Sequence, residues 1–480
     1  MAAAIRVFGQ PVCTMIMGYI GALKAWLYAP VFWLWPPSVW SLRLPVVLAG
    51  AVTIWLFAAL LRRVAGGRAA VLGAVLLAAD PMFLTTTTFD WGPVALQQLL
   101  LVAALLLLVH SRITLGCMAL GLALWNKAIF LWLLSSLAVV AVLLFGRRIR
   151  AELTWPRMSR AAGAFLLGAL PLVFFNLHQP GETIRGREYG LRDLAQKVEV
   201  MKRTVRGDAM AGFLTAEPHG EETPAGNRIE SASLWVSDRA GRRLTGWQLY
   251  LVPLALAGLF AARTRRVLLF FALAFLIAWA QMLVTVEAGG SVHHTVTLWP
   301  LLHAFLAIGL AAVFPSGRKG AAACGLVCAL AAGSNVLVTN EYLARLIRFG
   351  PGPLWTDAVY PLAEKIRQVD ARYVHPADWG MGDAVKLLAA GAVTVEDAIQ
   401  PITRQELDEE ERRRVLERVE RPGALSIGYV EGRQTFPTAG RLLDQAAQEA
   451  GFTRRTVSIV PDRRGRPVFE LFRYSRSETE

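Results

Sequence analysis

Residues 69–110 read AAVLGAVLLAADPMFLTTTTFDWGPVALQQLLLVAALLLLVH. Two apolar runs of about 17 and 18 residues flank a short polar break, Thr85-Thr86-Thr87-Thr88-Phe89-Asp90-Trp91-Gly92-Pro93. Each run is close to the roughly 20 residues a helix needs to cross a bilayer. The break holds one carboxylate, Asp90, beside Trp91. An acid between two spans is expensive to keep and marks a functional position by default.

The rest of the chain repeats the pattern. Further apolar runs cover 44–61, 113–126, 128–146, 160–176, 247–263, 267–286, 296–314 and 320–339. The 480 residues are 55% hydrophobic, and mean hydropathy is +0.43, more than a soluble domain carries. The expected fold is a polytopic α-helical membrane protein of about 10–11 membrane helices, with a C-terminal soluble α/β domain. The net charge of +14 does not point to nucleic acid, because much of the arginine excess lies in short loops between spans. Cys13, Cys117, Cys324 and Cys328 all sit in apolar segments, so the polar regions offer no disulfide framework and no cysteine zinc site.

Orientation follows from the basic residues. Arg62, Arg63 and Arg68, then Arg112, then Arg147, Arg148, Arg150, Arg157 and Arg160, then Arg263, Arg265 and Arg266, then Arg318 and Lys319 occupy alternate loops. The loops between them hold none at 87–92 and 287–295, and only Lys127 near 127. The positive-inside rule places the first set in the cytoplasm of a multi-pass inner-membrane protein. Asp90, Lys127, His293, His294, the 177–246 loop and the tail from 341 then lie outside the cytoplasm.

Four segments need separate reading. The limb 113–126 is short, so 113–146 reads as a helical hairpin with Trp125-Asn126-Lys127 at its tip. Residues 11–42 admit one span, Val12 to Trp35, with Lys24 near the bilayer centre, or a stretch lying flat at the outer interface. Tyr19, Trp26, Tyr28, Trp33, Trp35 and Trp40, with Pro30, Pro36 and Pro37, favour the interface. Residues 1–43 are therefore assigned to the first outer loop, 44–340 to the membrane domain and 341–480 to the soluble domain. The loop 177–246 is expected to contain an amphipathic helix near 190–213, and Glu217 to Asn227 reads as a mobile loop. The tail alternates helical and strand-like stretches: helices near 359–369, 383–390, 405–419 and 439–450, strands near 373–375, 425–430, 456–460 and 467–472.

Asp90 is the candidate catalytic carboxylate, a general base or substrate ligand facing outward. It also fits an N-cap, since Gly92-Pro93 and an apolar run follow it. Asp80-Pro81 reads as a kink with a satisfied carboxylate, and His303 as a buried, hydrogen-bonded histidine. Lys24, Arg43, Lys127, His293 and His294 are the candidate phosphate-binding groups, suited to charge-assisted bonds with a phosphate and to stabilising it as it leaves. Snorkelling at the interface is the plain alternative for each. Adjacent histidines point to different faces of a helix, so phosphate or glycan contact suits His293-His294 better than zinc. In the tail, Asp378-Trp379-Gly380 suits either a sugar contact or an Asx turn.

Arg43-Leu44-Pro45, Leu61-Arg62-Arg63-Val64-Ala65-Gly66-Gly67, Ala79-Asp80-Pro81 and Thr88-Phe89-Asp90-Trp91-Gly92-Pro93 follow one another in an order that resembles the family 39-like bacterial glycosyltransferases. These are GT-C membrane enzymes related to protein O-mannosyltransferases and aminoarabinose transferases. Leu122 to Lys127 looks like that family's short hairpin, and His293-His294 through Trp299-Pro300 is similar to its late outer loop. The resemblance covers roughly 11–340. It implies inverting transfer of a sugar from a polyprenyl phosphate to a glycan, lipid or protein acceptor outside the cytoplasmic membrane. It also implies a catalytic acid in the first outer loop. Met1 to Leu42 contains no Asp or Glu, so the expectation is either a span upstream of residue 1 with that acid behind it or a degenerate member of the family. Asp90 matches the family's second-loop acid.

The residues agree with such chemistry in one respect. No nucleotide-binding motif is present, so a lipid-phosphate donor is favoured over a nucleotide sugar. A divalent cation such as magnesium or manganese would suit an outer carboxylate pair. Two other functions stand beside the transferase. One is a catalytically inactive protein that binds lipid-linked sugar. The other is a transporter or flippase, for which paired halves with broken helices are the usual sign; no repeat is visible here.

Overall fold

The computed structural model describes residues 3–7, 10–152, 154–184, 188–218, 222–286, 288–352, 355–396 and 406–476. They form two compact units. One comprises Met1–Trp35, Val39–Ala211 and Glu222–Arg348; the other comprises Pro36–Ser38, Gly212–Glu221 and Phe349–Glu480.

The first unit opens with three antiparallel strands, β1 (Ala3–Val7), β2 (Gln10–Met17) and β3 (Ile20–Gly21), in that order across the sheet. Helix α1 (Leu23–Leu34) follows and has 12 residues. The single-span reading of residues 12–35 therefore fails. Its first half spends its backbone hydrogen bonds on strand pairing, and α1 is too short to cross a bilayer.

The helices after it are α2 (Val39–Ala65), α3 (Gly67–Ala79), α4 (Pro81–Thr88), α5 (Val94–Val109), α6 (Ile113–Asn126), α7 (Phe130–Glu152), α8 (Trp155–His178), α9 (Leu194–Arg206), α10 (Arg228–Arg239), α11 (Leu251–Ala257), α12 (Arg265–Val284), α13 (Val292–Thr295), α14 (Trp299–Val313) and α15 (Arg318–Arg348). Six segments are long and apolar enough to cross a membrane: α2, α7, α8, α12, Val292–Val313 and α15. Helices α3 and α4 pass the same test together but bend by 62°. Three shorter apolar helices, α5, α6 and Gln248–Phe260, fill the remaining runs read from the sequence. Of the outer-loop readings, the amphipathic helix is α9. The stretch from Glu217 to Asn227 lies partly outside the described residues, and α10 was not anticipated.

Local chemistry explains the bend. Pro81 has no N–H to continue α3 and suits the first turn of a new helix. Asp80 caps that helix, its Oδ1 accepting from the Phe83 N–H at 2.8 Å. Helix α4 then carries four threonines in a row. Each turns its hydroxyl back to the carbonyl four residues earlier, on Pro81, Met82, Phe83 and Leu84, at 2.6–2.7 Å. The polar break thus satisfies its own side chains inside an apolar bundle.

The centre of the bundle is the path into α14. Of its most apolar window 83% is buried, against 28–39% for the other five spans. Those five keep one face for lipid, whereas α14 meets protein on all sides. Small residues set the closest approaches. A Cβ on Gly121 of α6 would lie 2.1 Å from the Phe165 carbonyl oxygen of α8, and one on Gly168 would lie 2.5 Å from that of Met118. Helix α15 runs on to Arg348, which is 2% exposed. Its guanidinium donates to Ser237 Oγ at 2.9 Å and Asp238 Oδ1 at 2.7 Å, so α10 is pinned by charge.

The second unit is a mixed five-stranded sheet. Helices α16 (Val359–Gln368), α17 (Gly382–Ala389), α18 (Glu409–Val419) and α19 (Pro437–Glu449) alternate with β4 (Tyr373–Pro376), β5 (Thr394–Val395), β6 (Ala424–Tyr429), β7 (Phe452–Pro461) and β8 (Pro467–Arg476). The strand order is β5-β4-β6-β8-β7, parallel around β4 and antiparallel from β6 onward. Helix α18 starts at a capping box between Asp408 and Glu411, and residue 405, expected at its start, lies outside the described residues. Asp378 accepts backbone N–H bonds from Trp379 at 2.6 Å, Thr435 at 2.8 Å and Phe436 at 3.1 Å. It clasps the loop after β4 to the loop after β6, which accounts for its burial.

The glycine contacts generate a stability prediction. Gly121→Leu must push α8 away from α6 and is expected to destabilise the protein by about 2–3 kcal/mol. Thermal unfolding in detergent checks this; a melting temperature within a degree of the parent's would show that the helices are not held by that contact.

Candidate functional site

The hairpin tip between α6 and α7 gathers the nominated residues. Trp125 donates from its indole to Thr14 O at 2.9 Å, and the Ala128 N–H donates to Tyr19 O at 2.9 Å. Ile20 and Lys127 form an antiparallel bridge. The N-terminal strands are thereby fastened to the tip. The fit leaves no space: a Cβ on Gly21 would lie 2.0 Å from the Trp125 carbonyl oxygen. On its other side the tip holds the Asp90 loop. Asn126 Nδ2 donates to Pro93 O at 3.1 Å and to Gln97 Oε1 at 2.9 Å.

Asp90 is ion-paired with Lys24, the two side chains being 17% and 21% exposed. Its backbone is left-handed, with φ +56°. Asp and Asn tolerate that conformation best among residues other than glycine. The N-cap reading of Asp90 is not what the fold uses: α5 begins after Pro93 and has no side-chain cap. Arg43, on α2, lays its guanidinium over the Phe89 ring, 4.9 Å from its centroid. The residue before Asp90 is thus covered by a second cation. Lys24 also stands 5.2 Å from the Tyr28 ring centroid.

Lys127 is 2% exposed. An ammonium has three donors, yet among the described residues its bond goes to the His293 carbonyl, at 3.4 Å. Burial pushes its pKa down to about 8. His293 Nδ1 bonds Ser291 Oγ at 2.7 Å, and His294 Nδ1 accepts from the Gly289 N–H at 3.2 Å. The two rings stand edge to face, with centroids 4.3 Å apart. His294 therefore closes its own loop, while His293 adjoins Lys127 through its carbonyl. Four nominated residues fall into two contact pairs, Asp90 with Lys24 and Lys127 with His293, and Asn126 joins the two. Arg43 reaches the first pair through Phe89, and His294 reaches the second through its neighbour.

The linking groups are mostly ones that the sequence reading left without a role. Gln97 and Gln98 are fully buried in α5, where Gln98 Nε2 donates to Val296 O at 2.8 Å. A Gln-Gln pair inside an apolar run was the visible signal. No such signal marks Gly21. Among the described residues the donor set does not fit a divalent metal. Asp90 is paired with Lys24, Asp80 accepts two N–H bonds, and no three His, Cys, Asp or Glu side chains converge among the described residues.

No protein-family model and no curated protein sequence matches the chain. Solved structures do. ArnT from Cupriavidus metallidurans, an aminoarabinose transferase, superposes in its apo state with a TM-score of 0.53 at 14% identity, over 98% of this chain and 89% of that one. The same protein bound to undecaprenyl phosphate gives 0.52 at 13% identity, over 98% and 90%. The archaeal oligosaccharyltransferase AglB from Archaeoglobus fulgidus, in complex with an inhibitory peptide and a dolichol-phosphate, gives 0.47 at 14% identity, over 97% and 68%. At these identities the likeness is one of fold, and the fold of this chain is that of the GT-C membrane enzymes.

Proposed function

We propose that the protein transfers a sugar from a polyprenyl-phosphate donor to an acceptor hydroxyl, with inversion, on the extracytoplasmic side of the inner membrane. One observation carries the reading. Lys127 is a buried ammonium with a single long carbonyl partner among the described residues, beside His293 and one residue from the Asn126 bridge to the Asp90 loop. A buried cation so thinly bonded suits an anion. ArnT, of like fold, has been solved with undecaprenyl phosphate. The alternate basic loops support an extracytoplasmic position for this end of the bundle. Energy must then come from a bond already in the donor.

In this reading Lys127, Lys24, His293, His294 and Arg43 hold the phosphate or its surroundings. Asp90 takes the proton from the acceptor hydroxyl as its oxygen attacks the anomeric carbon. The bond from that carbon to the phosphate oxygen breaks, and the phosphate leaves with the electron pair, stabilised by the cations. Lys24 neutralises Asp90 until the donor arrives, so neither charge is stranded. The same pair also favours a second reading. A carboxylate held by a lysine suits a protein that binds lipid-linked sugar without turning it over.

Asp90→Asn separates these. Asparagine tolerates the left-handed backbone, so the fold should hold while the base is lost. Transfer from lipid-linked sugar in detergent, where no gradient exists, is expected to fall by about tenfold or more. Unchanged turnover would remove Asp90 from the chemistry. Donor binding with no turnover in the parent protein would favour the binding reading, and donor-independent substrate movement in vesicles would favour a transporter.

The Lys127 ammonium gives a pH signature. Its pKa is lowered to about 8, so its charge is present below that value and lost as pH rises through it. kcat/KM for the donor is expected to fall about tenfold from pH 7 to pH 9, following the free protein's lysine. Lys127→Met should be weak and flat across that range. A parent profile with no fall above pH 8 would show that Lys127 does not bind the donor.

A further inference from the structure

Asp80, Trp299 and His303 are 1%, 0% and 0% exposed, and the mechanism above uses none of them. They come from distant parts of the chain and meet inside the bundle. Asp80 Oδ1 accepts from the Phe83 N–H and from the Trp299 indole N–H, both at 2.8 Å. His303 Nδ1 lies 2.9 Å from Trp299 O. A carbonyl only accepts, so Nδ1 carries the hydrogen and the Nε2 edge turns to Asp80. That edge faces Asp80 Oδ2 at 3.4 Å and makes no hydrogen bond to any described residue.

The placement of this cluster matters more than its burial. Asp80 starts α4, and α4 ends at Thr88, two residues before Asp90. Along α4 all four threonine hydroxyls are bonded back to carbonyls of the preceding turn. Trp299 starts α14, and the short helical path before it begins at Val292, next to His293. Gln98 holds that path from the side, at Val296. The carboxylate of Asp80 thus joins the root of the arm that bears Asp90 to the root of the arm that bears His293.

We infer that Asp80 is a positioning residue. It fixes the Asp90 loop against the His293 loop from within the bundle, with Trp299 and His303 as its partners. Its effect on transfer rests on the function proposed above; its effect on loop geometry does not. Catalytic groups misplaced by about 1 Å can cost as much as 100-fold in rate, so a buried brace can matter as much as a group at the reacting atoms.

The variants distinguish geometry from charge. Asparagine at 80 keeps an acceptor for the Phe83 and Trp299 N–H groups and turns N–H donors toward the Nε2 edge. Leucine removes all three contacts. Spin labels are placed at Thr88→Cys and Gly290→Cys, with Cys13 and Cys117 changed to serine. Thr88 is exposed, and Gly290 has open space where a side chain would go.

The parent should give one narrow label-to-label distance distribution. Asp80→Leu should broaden it and Asp80→Asn should keep it narrow. In transfer assays Asp80→Leu should lower kcat about tenfold or more, with donor KM within about twofold, and Asp80→Asn should restore most of the rate. If Asp80→Leu does not fold, Trp299→Phe, which removes one hydrogen bond, should still broaden the distribution. A folded Asp80→Leu or Trp299→Phe with the parent's distribution would overturn the brace. A loss in Asp80→Asn as deep as in Asp80→Leu, with the distribution still narrow, would also overturn it, because charge rather than position would then be at work. Absence of transfer in the parent would refute the enzyme reading alone, since the distance measurements decide the brace by themselves.

Discussion

The seating of Gly21 against the Trp125 carbonyl is the contact on which the arrangement of the site depends. Through it the N-terminal strands, which lead into Lys24, are registered on the hairpin tip that bears Lys127. From the same tip Asn126 reaches the Asp90 loop. That seat works with the Tyr28 hydroxyl bond to Leu42 O, at 2.6 Å, to bring the helix of Lys24 to Asp90. Ion pairs taken out of water are favourable only when geometry holds them together. The backbone bridge supplies that geometry.

The bundle treats its polar groups in two ways. Deep inside, many are paired at once: threonines with carbonyls of their own turn, Asp80 with two N–H donors, Arg348 with Ser237 and Asp238. At the tip the pairing is thinner. Among the described residues Lys127 has one carbonyl at 3.4 Å, and Asn126 Oδ1 is buried without a hydrogen bond. Unsatisfied groups in a protein interior are costly, and they collect where a ligand is to supply the missing partners.

Much of this was legible in the sequence because membranes impose strong periodic rules. Every apolar run read along the chain corresponds to a helix or helical path, and the Asp80-Pro81 kink is present. In the tail, alternation of strand and helix sufficed, and only β5, two residues long, left no pattern to read. What escaped were features made by distant contacts. Residues 10–21 form strands because Thr14 and Tyr19 bond the hairpin tip more than a hundred residues away, which no local propensity encodes. The N-cap grammar after Asp90 was sound locally, but α5 begins at Val94 with Pro93 at its cap position, and the Asp90 carboxylate pairs with Lys24 instead. Asp80 looked like a kink and is also a cross-link, because its partner indole lies in α14.

The attachment at Gly21 is made by main chain against main chain. Bonds of that kind read shape and not the identity of side chains, so the residues around them are free to drift as long as one position stays bare. Two proteins can then share the same docked segment while agreeing at few positions along it.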